Sequence, residues 1–203
     1  EISDSIRLHG QRPLARLDRL GLVNDRLIAV HMTQLTEAEI HLCAERGVSV
    51  VHCPESNLKL ASGFCPACAL QRAGVTLAIG TDGCASNNDL DLFQEMDLSA
   101  KVHKATLLDP TVMSAETVLK MATIEGARVL GMDRLIGSVE VGKQADIIIL
   151  DMNQPHLTPL YNPYSQIVYA ARGGDVKTSI IDGKPVMENR RLLTMDLPAV
   201  MER

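Results

Sequence analysis

Three short apolar segments recur along the first half of the chain at intervals of about 25 residues, and a polar residue follows each of them. The segments and the polar residues after them are 27–30 with His31, 48–51 with His52, and 75–79 with Asp82. Short apolar runs are typical of strands that are buried on both faces of a parallel sheet. Helical patterns separate the segments, and one of them begins after Thr36 as N-cap and ends at Gly47. The alternation therefore predicts an α/β fold with a parallel sheet.

Asp82 follows the third apolar segment in a turn between Thr81 and Gly83. Active sites of α/β barrels are built from the carboxyl ends of the strands and from the loops after them. A carboxylate at such a position is a hard oxygen ligand for a divalent metal, or a proton acceptor. The alternative reading of the tripeptide alone is a turn aspartate that bonds its own backbone, as Asp-Gly pairs do.

His31 ends the first apolar segment, and only one predicted strand separates it from the strand that leads to Asp82. Both side chains are then expected at the same carboxyl edge of the sheet, which we call the mouth. A neutral imidazole there can bind a metal or donate to a developing oxyanion. A single histidine is more often a satisfied core or surface residue, and for His52 we favour such a structural or loop-anchoring role. The histidines to which we assign no function are His9, His41, His103 and His156.

Two polar segments at this predicted mouth are candidates for contact with a substrate. They are Ser56, Asn57 and Lys59 in a predicted loop over 54–59, and Ser86, Asn87 and Asn88 after Asp82. For the second segment the alternative is that these residues cap a helix that begins near Asp89.

Composition and charge exclude several classes of partner. The 203 residues carry a net charge of -5 and no basic patch, so we expect no nucleic-acid partner. The chain has no signal peptide and no apolar run of about 18 residues, so we expect a cytoplasmic protein without a membrane span. Five cysteines without a regular framework agree with a reducing compartment. Cys65 and Cys68 form a CxxC, for which we favour a structural role over a redox pair or half of a zinc site.

The second half of the chain has a different pattern. Ser114 begins a predicted helix that runs to Gly131. The β-like segments that follow are 137–143, 145–151, 167–169, 176–181 and 185–187. Asp182-Gly183 between the last two of them is a hairpin signal. We therefore predict a small β-rich, sandwich-like domain over 135–203, after a first domain over 1–134.

Several motifs together resemble the amidohydrolase superfamily. The segments that carry the resemblance are 27–31, 51–63 and 80–91, together with 137–146, which resembles that superfamily's return from a barrel to a small β domain. Within the superfamily, SNLKLASG and TDGCASNNDLD are similar to the 5-methylthioadenosine/S-adenosylhomocysteine deaminases, whose relatives include the triazine chlorohydrolases.

The resemblance implies a (β/α)8 barrel with one catalytic divalent metal, expected to be zinc. Asp82 matches the ligand after the eighth strand, and His31 matches the histidine after the sixth strand that contacts the substrate or the tetrahedral intermediate. Residues 1–134 would then hold strands six to eight. The superfamily's His-x-His is missing from the chain, and its His-x-x-Glu is missing before His31. Because the chain also begins at Glu1 without a methionine, we expect the C-terminal part of an enzyme, inactive without the N-terminal part of its barrel.

The function that the resemblance implies is hydrolytic deamination of adenosine thioethers by metal-activated water, in a homodimer. Asp82 would bind the metal and accept the proton of the water, and His31 would stabilise the tetrahedral centre. Ser56, Asn57 and Asn87 would join His31 in binding the substrate. The alternatives are hydrolysis of another amino- or chloro-substituted heterocycle such as a triazine, or a non-catalytic module for binding or oligomerisation that is derived from a barrel.

Overall fold

The computed structural model of this chain describes residues 2–202. The helices of its first half are α1 (Ile2–His9), α2 (Pro13–Arg19), α3 (Glu37–Glu45), α4 (Pro54–Lys59), α5 (Ala67–Arg72), α6 (Cys84–Asn87) and α7 (Leu92–Leu107). The later helices are α8 (Ala115–Met121), α9 (Ile124–Val129), α10 (Pro163–Tyr169) and α11 (Leu197–Met201). The strands are β1 (Ile28–Val30), β2 (Ser49–His52), β3 (Leu77–Ile79), β4 (Ile147–Leu150), β5 (Val176–Ile181), β6 (Lys184–Glu188) and β7 (Arg191–Leu192).

The first three strands form a parallel sheet in the order β1-β2-β3. Val51 of β2 pairs with Val30 on one side and with Ala78 on the other. All three residues of β3 are buried, and the strand packs against α5, α7, α8 and α9. The predicted α/β pattern with parallel strands is confirmed in this sheet, and the parallel pairing places the three carboxyl ends at one edge.

The helix between β1 and β2 begins as its sequence predicts. Thr36 accepts a hydrogen bond from the amide of Glu39, and the Glu39 carboxylate accepts one from the amide of Thr36, which together make a capping box. Arg12 donates to both carboxylate oxygens of Glu39, each at 2.8 Å. This pair therefore ties the segment before α2 to the start of α3.

Three predictions about the helical segments need correction. Residues 54–59, predicted as a loop, form α4, because Pro54 at the first helical position supplies a suitable φ and lacks the amide hydrogen that would otherwise be unpaired. The helical spacing of Leu14, Leu17 and Leu20, with Gly21 as a stop, predicts one helix up to about residue 22, but the structure has two, α1 and α2, separated by Gly10 with a φ of 68°. The helix predicted over 114–131 is also two, since Thr123 has φ -130° and ψ -98° between α8 and α9.

The second sheet is antiparallel, with the strand order β4-β5-β6-β7. Its predicted hairpin at Asp182-Gly183 is present, with φ values of 49° and 72°. Two segments predicted as β-like are not strands. Residues 137–143 form bends, turns and irregular structure, and 167–169 belong to α10, which Asn162 caps by accepting a hydrogen bond from the Ser165 amide. The sandwich-like domain over 135–203 and its boundary with 1–134 stay predictions.

The main core lies between the parallel sheet and the helices that follow it. Its fully covered residues include Val48, Val50, Leu70 and Val118. By contrast, Ile28 and Val30 on β1 are 41% and 46% exposed, at the free edge of the sheet. None of the helices within residues 2–202 is both long and apolar enough to cross a membrane.

Candidate metal-binding and catalytic site

The structure brings His31 and Asp82 together at the carboxyl edge of the parallel sheet. His31 follows β1 directly, and its amide donates to the carbonyl of Val51 at 3.1 Å. Asp82 lies just beyond the end of β3. Nε2 of His31 is 3.8 Å from Oδ2 of Asp82, so the side chains face each other across the end of β2.

Both residues have a left-handed backbone conformation that residues other than glycine rarely adopt. The φ angle is 71° at His31 and 61° at Asp82. Such conformations cost roughly 1–3 kcal/mol each, and they persist where the surrounding structure holds them and the site uses them.

The two glycines near Asp82 differ in what they make room for. A Cβ atom on Gly80 would lie 2.9 Å from Cγ1 of Val51, so glycine is needed there for close packing of β3 against β2. A Cβ atom on Gly83 would meet nothing within 4 Å among the described residues. Only Gly80 is thus explained by a close approach inside this chain.

The carboxylate of Asp82 is held by two hydroxyl groups. Ser86 Oγ donates to Oδ2 at 2.6 Å, and Ser56 Oγ donates to the same oxygen at 2.7 Å. These two bonds, followed by one from the Gly83 backbone, lower the pKa of Asp82 to about 2. The group is therefore ionised at neutral pH, which is the form that binds a cation or accepts a proton.

A second polar contact orients His31. Its Nδ1 lies 2.9 Å from Oδ1 of Asn57. Because a carboxamide oxygen only accepts hydrogen bonds, Nδ1 carries a proton and donates it to Asn57. Nε2 is then the ring nitrogen that faces Asp82 and the mouth of the sheet.

The residues that hold these two side chains come from α4. Ser56 and Asn57 are 0% and 2% exposed, on the buried side of that helix. At its end, Lys59 Nζ donates to the carbonyl of Ala85 at 3.2 Å and to Oδ1 of Asn88, which joins α4 to α6. The structure thus shows Ser56 and Asn57 in contact with protein groups, and their contact with a substrate stays a prediction.

Asn87 connects the Asp82 turn to a residue that sequence reasoning missed. Its Nδ2 donates to the carbonyl of Thr81 at 2.8 Å and to Oε1 of Glu95 at 2.6 Å. Glu95 lies on α7 and is 0% exposed. The predicted contact of Asn87 with a substrate stays a prediction.

Glu95 is chemically unusual among the carboxylates of this chain. Burial raises its pKa to about 7, against the opposing effect of the hydrogen bond from the Glu55 amide. A signal was present in the sequence, since Glu95, Ser99 and His103 recur at helical spacing on one face of α7, and all three are buried. From the sequence alone that face is polar and is expected to face solvent. Its burial depends on the packing of α7 against β3.

His52 ends β2 and is buried against α7. It is 2% exposed, and its Nε2 lies 3.1 Å from Nε2 of His103 on α7. Burial, and then the neighbouring imidazole, lower the pKa of His52 to about 3, and burial lowers that of His103 to about 4. Both rings are therefore neutral at physiological pH, and the packing agrees with the structural role predicted for His52.

Within residues 2–202, no three His, Cys, Asp or Glu side chains cluster in a way that would hold a metal ion. The ionised Asp82 is a suitable donor, and it would need ligands from elsewhere. Cys65 and Cys68 are buried free thiols, and burial raises the pKa of Cys65 to about 12. That environment disfavours the thiolate, which both redox chemistry and metal binding require.

Comparison with known proteins identifies the family. The sequence profile described as "Amidohydrolase family" matches residues 1–186. The chain belongs to the amidohydrolase family. Among curated relatives, a 5-methylthioadenosine/S-adenosylhomocysteine deaminase of Syntrophobacter fumaroxidans is 56% identical over all 203 residues, which cover 46% of that relative. A 5'-deoxyadenosine deaminase of Methanothermobacter thermautotrophicus is 46% identical over 202 residues, which cover 47% of it.

Solved structures of family members superpose closely on this chain. An adenosine deaminase from Xanthomonas campestris with bound zinc is 63% identical, with a TM-score of 0.97 over 100% of this chain and 46% of its own. An atrazine chlorohydrolase from Arthrobacter aurescens, complexed with zinc, is 26% identical, with a TM-score of 0.92 over 99% of this chain and 45% of its own. The chain therefore spans about half the length of the proteins it matches.

Proposed function

We propose that this amidohydrolase chain is the C-terminal part of a zinc-dependent deaminase of 5-methylthioadenosine and S-adenosylhomocysteine. The observation that carries the proposal is the ionised Asp82, held in a left-handed turn with Nε2 of His31 at 3.8 Å. The 56% identity to a deaminase named for these two substrates supports the choice of substrate.

The proposal includes a (β/α)8 barrel in which β1, β2 and β3 are strands six to eight. Their parallel pairing supports it, and so does the free, exposed edge of β1, where a preceding strand would pair. The remaining strands and metal ligands would come from an N-terminal part, in keeping with relatives about twice as long as this chain.

In the proposed site Asp82 supplies one ligand to zinc. When bound, zinc lowers the pKa of a coordinated water to about 7 and so provides a nucleophile at neutral pH. Asp82 is ionised and accepts a proton. His31 presents Nε2 to the substrate at the same mouth, and its hydrogen bond to Asn57 keeps the ring in one orientation.

The residues predicted to bind the substrate fall into two groups in this proposal. His31 is half-exposed and is the one that touches the substrate. Ser56 and Asn57 are buried and orient Asp82 and His31, respectively. Asn87 holds the carbonyl of Thr81, directly before Asp82.

The experiment is an ultraviolet assay of deamination with the complete, zinc-loaded polypeptide that contains this chain. Conversion of 5-methylthioadenosine and S-adenosylhomocysteine to the corresponding inosine products is the expected result. An enzyme that binds zinc but converts neither thioether would contradict the proposal. Release of chloride from a chloro-triazine would then favour the alternative, to which the 0.92 TM-score with an atrazine chlorohydrolase points. Inactivity on both, without zinc binding, would favour the non-catalytic module.

Three further expectations complete the proposal. A small molecule is the expected partner, the enzyme is expected to be a homodimer, and the cytoplasm is its expected location. Gel filtration of the complete polypeptide measures the second of these, and a mass of one polypeptide would contradict it.

A further inference from the structure

Glu95 is a buried carboxylate directly behind the candidate site. It is 0% exposed, and its two oxygens have different partners. Oε1 accepts a hydrogen bond from Asn87 Nδ2 at 2.6 Å, and Oε2 accepts one from the Glu55 amide at 3.2 Å. The carboxylate therefore joins two segments that are far apart in the sequence.

The Asn87 contact leads to the Asp82 turn. The same Nδ2 group donates to the carbonyl of Thr81 at 2.8 Å, on the peptide that precedes Asp82. Asn87 ends α6, the helix whose Ser86 hydroxyl donates to the Asp82 carboxylate. A fixed Asn87 amide thus restrains the turn at Thr81, before Asp82, and at α6, after Asp82.

The Glu55 contact leads to the other half of the site. Glu55 lies in the first turn of α4, and the next two residues of that helix are Ser56 and Asn57. Those two side chains contact Asp82 and His31, respectively. Glu95 therefore touches both segments whose side chains orient the candidate catalytic pair, and touches neither member of the pair itself.

A role in packing alone does not account for a glutamate at this position. An apolar side chain of similar volume would fill the same space without the cost of burying a carboxylate. The carboxylate has two acceptor oxygens, and each pairs with one N–H group that would otherwise lack this acceptor. Its chemistry thus fits the joining of α4 to α6.

We propose that Glu95 is a positioning residue for this site: through Asn87 and the Glu55 amide it sets the distance between the segment that presents Asp82 and the helix that orients His31. The inference rests on the deaminase function proposed above for its catalytic consequences. Its consequence for zinc affinity follows from Asp82 as a ligand and is measured separately.

The test compares Glu95→Gln and Glu95→Met in the complete polypeptide. Glutamine keeps one acceptor oxygen and turns an NH2 group toward the second N–H donor, whereas methionine keeps the volume and removes both acceptors. Ser99→Ala is the control on the same buried face of α7, because the Ser99 hydroxyl has no hydrogen-bond partner among the described residues. Glu39→Gln is the second control, a buried glutamate that bonds Thr36 and Arg12 instead.

Zinc affinity is measured by competition with a chelator, and kcat and KM are measured on 5-methylthioadenosine. We expect Glu95→Met to weaken zinc binding and lower kcat by about 10- to 100-fold each, as loss of an outer support of a metal ligand does. KM should change less than about 3-fold, and Glu95→Gln should retain more zinc affinity and kcat than Glu95→Met. Ser99→Ala should match the wild type, and Glu39→Gln should lose thermal stability without losing zinc affinity.

Wild-type zinc affinity and kcat in Glu95→Gln and Glu95→Met would overturn the inference. The inference would also be overturned if the losses of zinc affinity and kcat were no larger than those of Glu39→Gln at the same fall in melting temperature. If Glu95→Met does not fold, Glu95→Gln alone decides between these results. If the wild type binds zinc but deaminates neither thioether, the proposed function fails, while the zinc affinities of the variants still decide the role of Glu95.

Discussion

The ends of β2 and β3 present two polar residues in opposite environments. His52 is the last residue of β2, where the alternate residues Val50 and His52 are buried. Its ring contacts His103, which lies on α7. Asp82 lies beyond β3, in a turn with positive φ that faces the mouth of the sheet. Burial lowers the pKa of His52 to about 3, whereas hydroxyl hydrogen bonds lower that of Asp82 to about 2.

A polar residue at a strand end can therefore be buried in the core, as His52 is, or be presented in a turn at the mouth of the sheet, as Asp82 is. Inside the strand, the pleat decides which face a side chain joins, and His52 shares the buried face with Val50. Beyond the strand, the backbone conformation of the turn decides where a side chain lies, and the side chain of Asp82 lies outside the sheet. Substitutions at the end of β3 should therefore affect activity, and substitutions beneath β2 should affect stability.

The largest effect is expected from Asp82→Asn. In the proposed site the neutral amide would replace a charged metal ligand and proton acceptor, so kcat should fall by about 10³-fold or more and zinc content should drop. Because Asp82 is exposed and outside the core, the melting temperature of the metal-free protein should change by less than about 3 °C. Full retention of activity would contradict the assignment of Asp82.

His31→Asn should give the next largest effect. Asparagine tolerates positive φ, so the backbone at 71° is retained while the imidazole is lost. We expect kcat to fall by about 10²- to 10³-fold, the range for loss of one group that stabilises a transition state. Zinc content should stay at the wild-type level, which separates His31 from Asp82, and its loss would make His31 a ligand instead.

Smaller effects are expected from Ser56→Ala and Ser86→Ala. Each variant removes one hydroxyl that donates to Oδ2 of Asp82. Zinc affinity in a chelator competition should weaken by about 10-fold for each variant, because the ligand loses an orienting hydrogen bond. Unchanged affinity in both variants would mean that the turn alone holds Asp82.

The sequence predicted the elements whose signals are local. Apolar runs located β1, β2 and β3, and the Thr36 capping box located α3. The proximity of Asp82 and His31 also followed from their position at strand ends, whereas their catalytic roles stay predictions. Residues 167–169 were misread as β-like, because Ile, Val and Tyr favour strands while the cap at Asn162 and Pro163 begins a helix there.

The supports of the site were not predictable in the same way. Glu95 has its two hydrogen-bond partners only because α4 packs on α7 and Asn87 at the end of α6 reaches Oε1 of Glu95. Likewise, the two histidines of the buried pair come from residues 52 and 103, and no local pattern links them. Contacts between distant segments decide these roles, and a single sequence does not display them.

The last effect is expected from the histidine pair, and it concerns stability instead of activity. Folded His52 and His103 have pKa values of about 3 and about 4, below the ordinary 6.5. Between pH 6.5 and about 4 the unfolded chain binds protons at these histidines that the folded chain does not. The free energy of unfolding should therefore decrease as the pH falls below 6.5. Glu95 acts in the opposite direction between 4.5 and about 7, because its folded pKa is raised.

Comparison of the wild type with His103→Gln removes the Glu95 contribution, which both proteins share. Glutamine keeps a polar group beside His52 but does not titrate, so the variant should lose stability less steeply in acid. The two free energies of unfolding, from urea titrations between pH 6.5 and 4.5, should converge by up to about 1.4 kcal/mol per pH unit. Ser99→Ala, a substitution of a residue that does not titrate on the same buried face of α7, is the control and should keep the wild-type slope. Parallel curves for wild type and His103→Gln would mean that the pair is protonated without cost, and the contrast between the ends of β2 and β3 would then be one of position alone.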